Sequence, residues 1–384
     1  MSVKQALSHP KALMVFALAA LIGGGAIAQT PDEKHLKEIQ KDVEQGKEYV
    51  KELEKDLKLS EDPAVLERIK KLGDELAAIA NKTAVPATYG DSRLSPFDYS
   101  FKVVVDKDVN AFSVPGGFIY MHTGLIDNAE SEAEIAGVLA HEIAHASHRH
   151  LHTLAKEYSK ASTLTTIAAL VVAVFADGRD AVNTMNAQQL FLMALTSGWS
   201  EQAEMDADQA GFKYLIQTGH NPVGLLTFME RLAFKEQRLG PKIDWGIQRT
   251  HPPSRKRVEA LRKLLVDNNV AIARSEVTTS FRVTAKDDGE RKALTFGEYP
   301  LFTVGGSDAA TRAADLTVRF NKFFDSTPQL FSIRADGPRL MWFGTRLAEF
   351  QDGDVQGLTG EQAAVHALSN IKNALFSLDF RTGG

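Results

Sequence analysis

His141-Glu142-Ile143-Ala144-His145, an HExxH sequence, decides how this 384-residue chain is read. Ala133, Ile135, Ala136, Val138, Leu139, Ile143 and Ala144 place apolar positions around it, and Gly137 is the only helix breaker, so the segment predicts a helix. Glu130, Glu132 and Glu134 precede it, as suits the positive end of a helix dipole. On a helix, positions i and i+4 stack on one face, so His141 and His145 can offer two imidazole nitrogens to one metal ion. Glu142 points toward the same cavity, where a carboxylate can take a proton from metal-activated water. The plainer reading is a buried helix with two ordinary histidines.

A catalytic zinc needs a third protein ligand and an open fourth position. The metzincin solution requires a Gly at 148 and a His at 151, where this chain has His148 and Leu151. The gluzincin solution takes a Glu from a second helix, with an acidic residue four positions later on the same face. Trp199 to Asp208 offers that pair: Glu204 to ligate, and Asp208 to accept the second N–H of a ligating histidine and so fix its tautomer. His148 and His152 lie near the ligand face and are read as surface residues or as partners of the ligands.

HEIAH, followed some sixty residues later by Glu204 to Asp208, resembles the membrane-associated and periplasmic zinc endopeptidases typified by HtpX, BepA, LoiP and the CAAX prenyl proteases. Asn110 to Tyr120 resembles that family's NAFxxPGG strand, and Thr250-His251-Pro252-Pro253 through Arg257 its THPPxxxR ending. Arg149-His150 matches a basic pair seen after the zinc motif. One departure stands out: the family commonly has Ser-Arg ahead of the glutamate ligand, but Glu201 follows Ser200 here, so the cation must come from elsewhere or be missing.

The resemblance implies one Zn2+ per chain on His141, His145 and Glu204, with Glu142 as general base. It makes His251 the candidate oxyanion stabiliser, and Arg257 a structural tie for its segment. It also implies a substrate-binding edge strand at Gly117, Phe118, Ile119 and Tyr120, where backbone pairing recognises an extended polypeptide without demanding a sequence. The expected activity is hydrolysis of misfolded or envelope proteins in the periplasm. A non-catalytic, chaperone-like binder on the same fold is the alternative.

Met1 to Ala28 carries Lys4 and Lys11, an apolar run from Ala12 to Leu21 and the ending Ala26-Ile27-Ala28, which reads as a cleavable secretory signal; a retained signal anchor is the alternative. With no cysteine in the chain, disulfides and a lipoprotein anchor are both excluded. The periplasm of a Gram-negative bacterium fits. Leu164 to Ala176 is a second uncharged run, too short as a helix to cross a bilayer. It is expected to be a buried helix, with peripheral membrane contact or a lid over the cleft as the alternatives.

The chain divides into a signal at 1–28, a helical segment at 29–83, the metallopeptidase domain at 84–268 and a C-terminal α+β domain at 269–384. Leu36, Val43, Val50 and Leu57 recur every seven residues in the helical segment, with Ile39 and Leu53 as companions, and Asp62-Pro63 opens a second helix. A helical hairpin packed on the protease follows. In the C-terminal part, 277–284, 330–334 and 340–343 read as strands, and 308–324 and 360–378 as helices. The fold class is α+β, a mainly helical zincin-type domain with a small sheet. Nucleic-acid binding has little support, since the chain carries a net charge of -5 and lacks a concentrated basic stripe with aromatics.

Overall fold

The computed structural model describes residues 31–160, 199–239, 246–252 and 254–382. The expected signal and the apolar run at 164–176 lie outside these residues. Among the described residues no helix is long and apolar enough to cross a membrane.

Two helices come first. α1 (Glu33–Leu53) is capped by Asp32, which accepts from the His35 N–H at 2.7 Å, and α2 (Pro63–Ala80) by Asp62 with Pro63 in its first turn. The heptad reading of α1 is corrected here: the helix ends at Leu53, and its buried stripe is His35, Ile39, Asp42, Gly46 and Tyr49, while Leu36 is exposed. The physical reason is that α1 buries polar groups against partners in the protease domain, which hydrophobic periodicity does not reveal. Ile69, Leu72 and Leu76 of α2 belong to the core of the protease domain, so that core begins ahead of residue 84.

The first sheet comprises β1 (Ser100–Val104), β2 (Ala111–Val114) and β3 (Phe118–His122), in the order β1-β3-β2. β3 runs parallel to β1 and antiparallel to β2. Gly116 and Gly117, with φ of 84° and 90°, turn the chain from β2 into β3. α1 packs so closely on this turn that a Cβ at Gly116 would lie 2.7 Å from the Val43 Cα.

A short α3 (Thr123–Asn128) leads to α4 (Glu132–Ser147), capped by Ser131. Every residue of α4 from Glu134 to Ser147 is buried, so the HExxH helix runs through the core and is apolar on most faces for that reason. Arg149, in the left-handed region at φ 52°, separates α4 from α5 (His150–Lys160). α6 (Glu201–Leu215), capped by Ser200, packs along α4, as does α7 (Val223–Leu239). The close approach of α7 explains Gly137, where a Cβ would meet the Leu225 Cα at 2.8 Å. α8 (Gly246–Thr250), α9 (Arg255–Asp267) and α10 (Arg274–Val277) complete this part.

A second core then begins at Phe281 and extends to Leu375. β4 (Val283–Asp288), β5 (Arg291–Phe296) and β6 (Tyr299–Val304) form one antiparallel meander. β7 (Ile333–Asp336), β8 (Arg339–Trp342) and β9 (Thr345–Glu349) form another. α11 (Ala309–Asp325) and α12 (Gly360–Thr382) pack on them. Both helices were expected, but Val277 proves to end a helix, Leu330–Ser332 is a 3-10 turn, and β5, β6 and β9 were not foreseen. Their alternation is broken by consecutive buried residues at Leu301-Phe302 and Leu347-Ala348 and by register shifts between Leu294 and Thr295 and between Leu340 and Met341.

The cores are joined through α10 and the segment after it. Arg274 places two guanidinium nitrogens 2.8 Å from the Glu230 carboxylate of α7, Ser275 donates its N–H to Asp325 of α11 at 2.9 Å, and Glu130 accepts from the Ser280 N–H at 2.8 Å.

Candidate metal centre

The i, i+4 spacing on α4 brings the Nε2 atoms of His141 and His145 to 3.0 Å from one another. α6 supplies Glu204, whose Oε1 lies 3.2 Å from His145 Nε2 and whose Oε2 lies 3.4 Å from His141 Nε2. The segment after α8 adds His251, with Nδ1 3.3 Å from His141 Nε2 and 3.0 Å from Glu204 Oε1. Donor atoms from all four residues lie within 4.8 Å of one another, and all four side chains are buried. Donors about 2.0–2.1 Å from a tetrahedral zinc stand about 3.3 Å apart. The separations here run from 3.0 to 3.4 Å, so the group fits a metal ion of that size.

The surroundings tune these donors. His141 Nδ1 sits 2.9 Å from Asp208 Oδ1, although off the line of a well-formed hydrogen bond. Asp208 in turn accepts from Arg257 Nε at 2.8 Å and Nη2 at 2.9 Å, and Arg257 Nη1 lies 2.5 Å from Glu204 Oε2. Burial opposes charge on Glu204, but Arg257, His251 and His141 outweigh it and hold the carboxyl well below its usual range. Burial likewise opposes charge on His141, yet Asp208 and Glu204 raise its pKa. His145 has its other nitrogen 2.9 Å from His150 Nδ1 and its ring stacked on Trp199; burial pushes its pKa down, which keeps the imidazole neutral as a metal ligand must be.

Glu142 is almost wholly buried, and neither carboxylate oxygen has a hydrogen-bond partner. Its Oε1 lies 3.3 Å from His251 Nε2, and burial raises its pKa. A pocket of about 20 Å³ adjoins Glu142 and His251 between Val138 and Phe228. That is room for about one water.

This donor group lies within a span, residues 64–265, that matches the family described as Peptidase family M48. The chain belongs to peptidase family M48. Among similar proteins, the beta-barrel assembly-enhancing protease of Escherichia coli (strain K12) is 25% identical, the match covering 88% of this chain and 66% of the relative. The mitochondrial metalloendopeptidase OMA1 of Arabidopsis thaliana is 33% identical over 56% of this chain and 39% of its own length. Metalloprotease LoiP of Escherichia coli (strain K12) is 31% identical over 42% of this chain and 61% of its own length. This M48 chain therefore spans less than two thirds of each of these relatives.

Of the residues singled out in this M48 sequence, the structure brings together His141, Glu142, His145, Glu204, Asp208 and His251. It does not bring in Gly117, Phe118, Ile119 and Tyr120 as an edge: β3 is the central strand, paired on both sides, and the Tyr120 hydroxyl donates to Glu54 at 2.6 Å. The edge strands are β1 and β2, and β1 carries an isolated bridge from Val104 to Leu59. His251 lies in the same group, its Nδ1 3.0 Å from Glu204 Oε1 and its Nε2 3.3 Å from Glu142 Oε1. Arg257 ties its segment down through the Pro252 carbonyl at 3.0 Å, as expected, but also provides the cation that Glu201 left missing. His148 is buried, bonded to the Val85 carbonyl at 3.2 Å, and His152 is at the surface near Asp42. His150 and Trp199 were missed as partners of the ligand His145, because nothing in their spacing marks which way their rings face.

Proposed function

We propose that this chain is a zinc-dependent endopeptidase that hydrolyses peptide bonds of misfolded or envelope proteins in the periplasm. The observation that carries the reading is the convergence of His141, His145 and Glu204 beside an unpartnered, buried Glu142. The family and the relatives' names support it, and the secretory character of residues 1–28 supports the compartment. Zinc bound there would act as a Lewis acid toward a peptide carbonyl and ease deprotonation of water.

The chain's own residues then do the proton work. Glu142 takes the proton from the attacking water and hands it to the departing amine nitrogen. The absence of any hydrogen bond to its oxygens and its raised pKa suit a carboxyl that must carry a proton between two partners. Asp208 holds His141 in one tautomer and His150 does the same for His145. His141, His145 and Glu204 would hold the metal with one position left for water, and His251, whose Nε2 lies 3.3 Å from Glu142 Oε1, would turn its ring toward the developing oxyanion.

The test is cleavage of casein by the purified chain with and without a zinc chelator, beside Glu142→Gln. Cleavage that the chelator stops and the variant lacks is the expected result. A zinc-loaded parent that binds casein without cutting it would favour a non-catalytic binder on the same fold.

A further inference from the structure

A cavity of about 410 Å³ opens beside the donor group, within the range of ligand-binding pockets. His145 forms part of its wall, so whatever fills it lies next to the reacting atoms. Ser113 and Val114 of β2 also line it, and among the described residues β2 is an edge strand of its sheet. An extended peptide pairing with that edge presents alternate side chains to opposite faces, one set of which falls on the cavity.

We propose that this cavity is the subsite for one large apolar side chain of the polypeptide substrate, and that helix α1 sets the preference. The inference rests on reading the site as an endopeptidase. Its walls are mainly apolar, with Tyr49 of α1 facing the zone bounded by Leu151, Ala155 and Trp199. The carboxylate in it, Asp42, is already engaged by Arg149 at 2.5 Å and 3.2 Å and approached by His152 at 3.6 Å. An incoming basic side chain would lose its water without gaining a dedicated partner and would meet Arg149 and Lys156 in the same wall, which disfavours it. α1 lies ahead of the family-matched residues, yet its Asp42, Gln45 and Tyr49 all face the cavity. It cannot drift from that position easily: a Cβ on Gly46 would lie 1.8 Å from the Pro115 carbonyl oxygen, so helix and turn are in direct backbone contact. A wall fixed in this way discriminates by shape and size.

The experiment measures binding rather than turnover. Full-length, zinc-loaded Glu142→Gln protein is titrated with fluorescein-labelled Gly-Ser host peptides containing a single Phe or a single Ala, read by anisotropy. The Phe peptide is expected to bind about tenfold tighter, the scale of burying one large apolar side chain. Gln45→Trp and Ala155→Phe fill the cavity from exposed and half-buried positions, where folding tolerates the change, and each should bring the two affinities to within about twofold. Equal affinities in the starting protein, no measurable binding of either peptide, or a Phe preference that survives both filling variants would overturn the proposal. A Phe preference in Glu142→Gln, alongside a zinc-loaded parent with Glu142 intact that never cleaves casein, would keep the subsite and remove the endopeptidase reading instead.

Discussion

The two cores of this chain are built from different materials. The first holds His141, Glu142, His145, Glu204, Asp208 and Arg257 at its centre, with Glu134, Glu230 and Arg231 buried around them. The second is centred on Phe281, Phe296, Phe302, Phe320, Phe323, Phe324 and Phe350, with stacked and edge-on ring pairs such as Phe296 on Phe324 at 4.0 Å. Buried side-chain atoms without a hydrogen-bond partner follow the same division: among the described residues all of them lie in the N-terminal part, except Trp342 Nε1. Several of these atoms, on His141, Glu204 and His251, belong to the group that would hold the metal, and those of Glu142 adjoin it, so the first core is organised around a reactive constellation. The second is a packing unit of aromatic rings, with Trp342 Nε1 as its single such atom among the described residues.

The sharpest way to break this contrast is Glu142→Gln. If the unpartnered carboxylate is there for proton transfer, kcat/KM on casein falls by about 10²–10⁴-fold, while bound zinc, measured by metal analysis, stays at the parent's level. Next comes Arg257→Met. Removing one member of a buried ion network leaves Glu204 and Asp208 uncompensated, with a cost of about 3–5 kcal/mol by denaturant titration of the metal-free protein; an unchanged midpoint would mean that Arg257 is dispensable to the first core.

Phe320→Ala probes the other side of the comparison. Fully buried and in contact with three other phenylalanine rings, Phe320 should cost about 3–5 kcal/mol on truncation. Zinc content should not change, and a loss of metal would show that the cores are not separable. The smallest effect concerns the seam. Burial resists charge on Glu130, but Arg231, Ser280 and Thr278 hold its pKa down at about 2, against an ordinary value of 4.5. A depressed carboxyl contributes its full stability above that ordinary value and loses it as pH falls toward the folded one. Thermal melts between pH 5 and pH 2.5 should therefore fall less steeply in Glu130→Gln than in the parent. Parallel curves would remove Glu130 from the seam.

How much was legible in advance depended on whether the signal was local. HExxH on a capped helix and Glu204 with Asp208 on another are spacing statements, and spacing along a helix is geometry. The helix start at Asp62 is of the same kind. The Leu36–Val43–Val50 row was also a spacing statement, and it held in part: Val50, Leu53 and Leu57 pack on the cluster around Tyr49 and Tyr120, but α1 also buries Asp42 against Arg149 and lays Gly46 on Pro115 while Leu36 stays in water.

By itself, then, the sequence determined which residues of α4 and α6 point the same way, and hence the His141, His145, Glu204 and Asp208 set. Only the tertiary structure decided that β3 is central and β2 an edge, that His251 lies in the same group, that Arg257 neutralises two carboxylates, and that α1 walls the cavity beside His145. The physical reason is that these depend on contacts between segments far apart in the chain. Within one helix the backbone repeat dictates which side chains meet, but between segments nothing short of the packed core does.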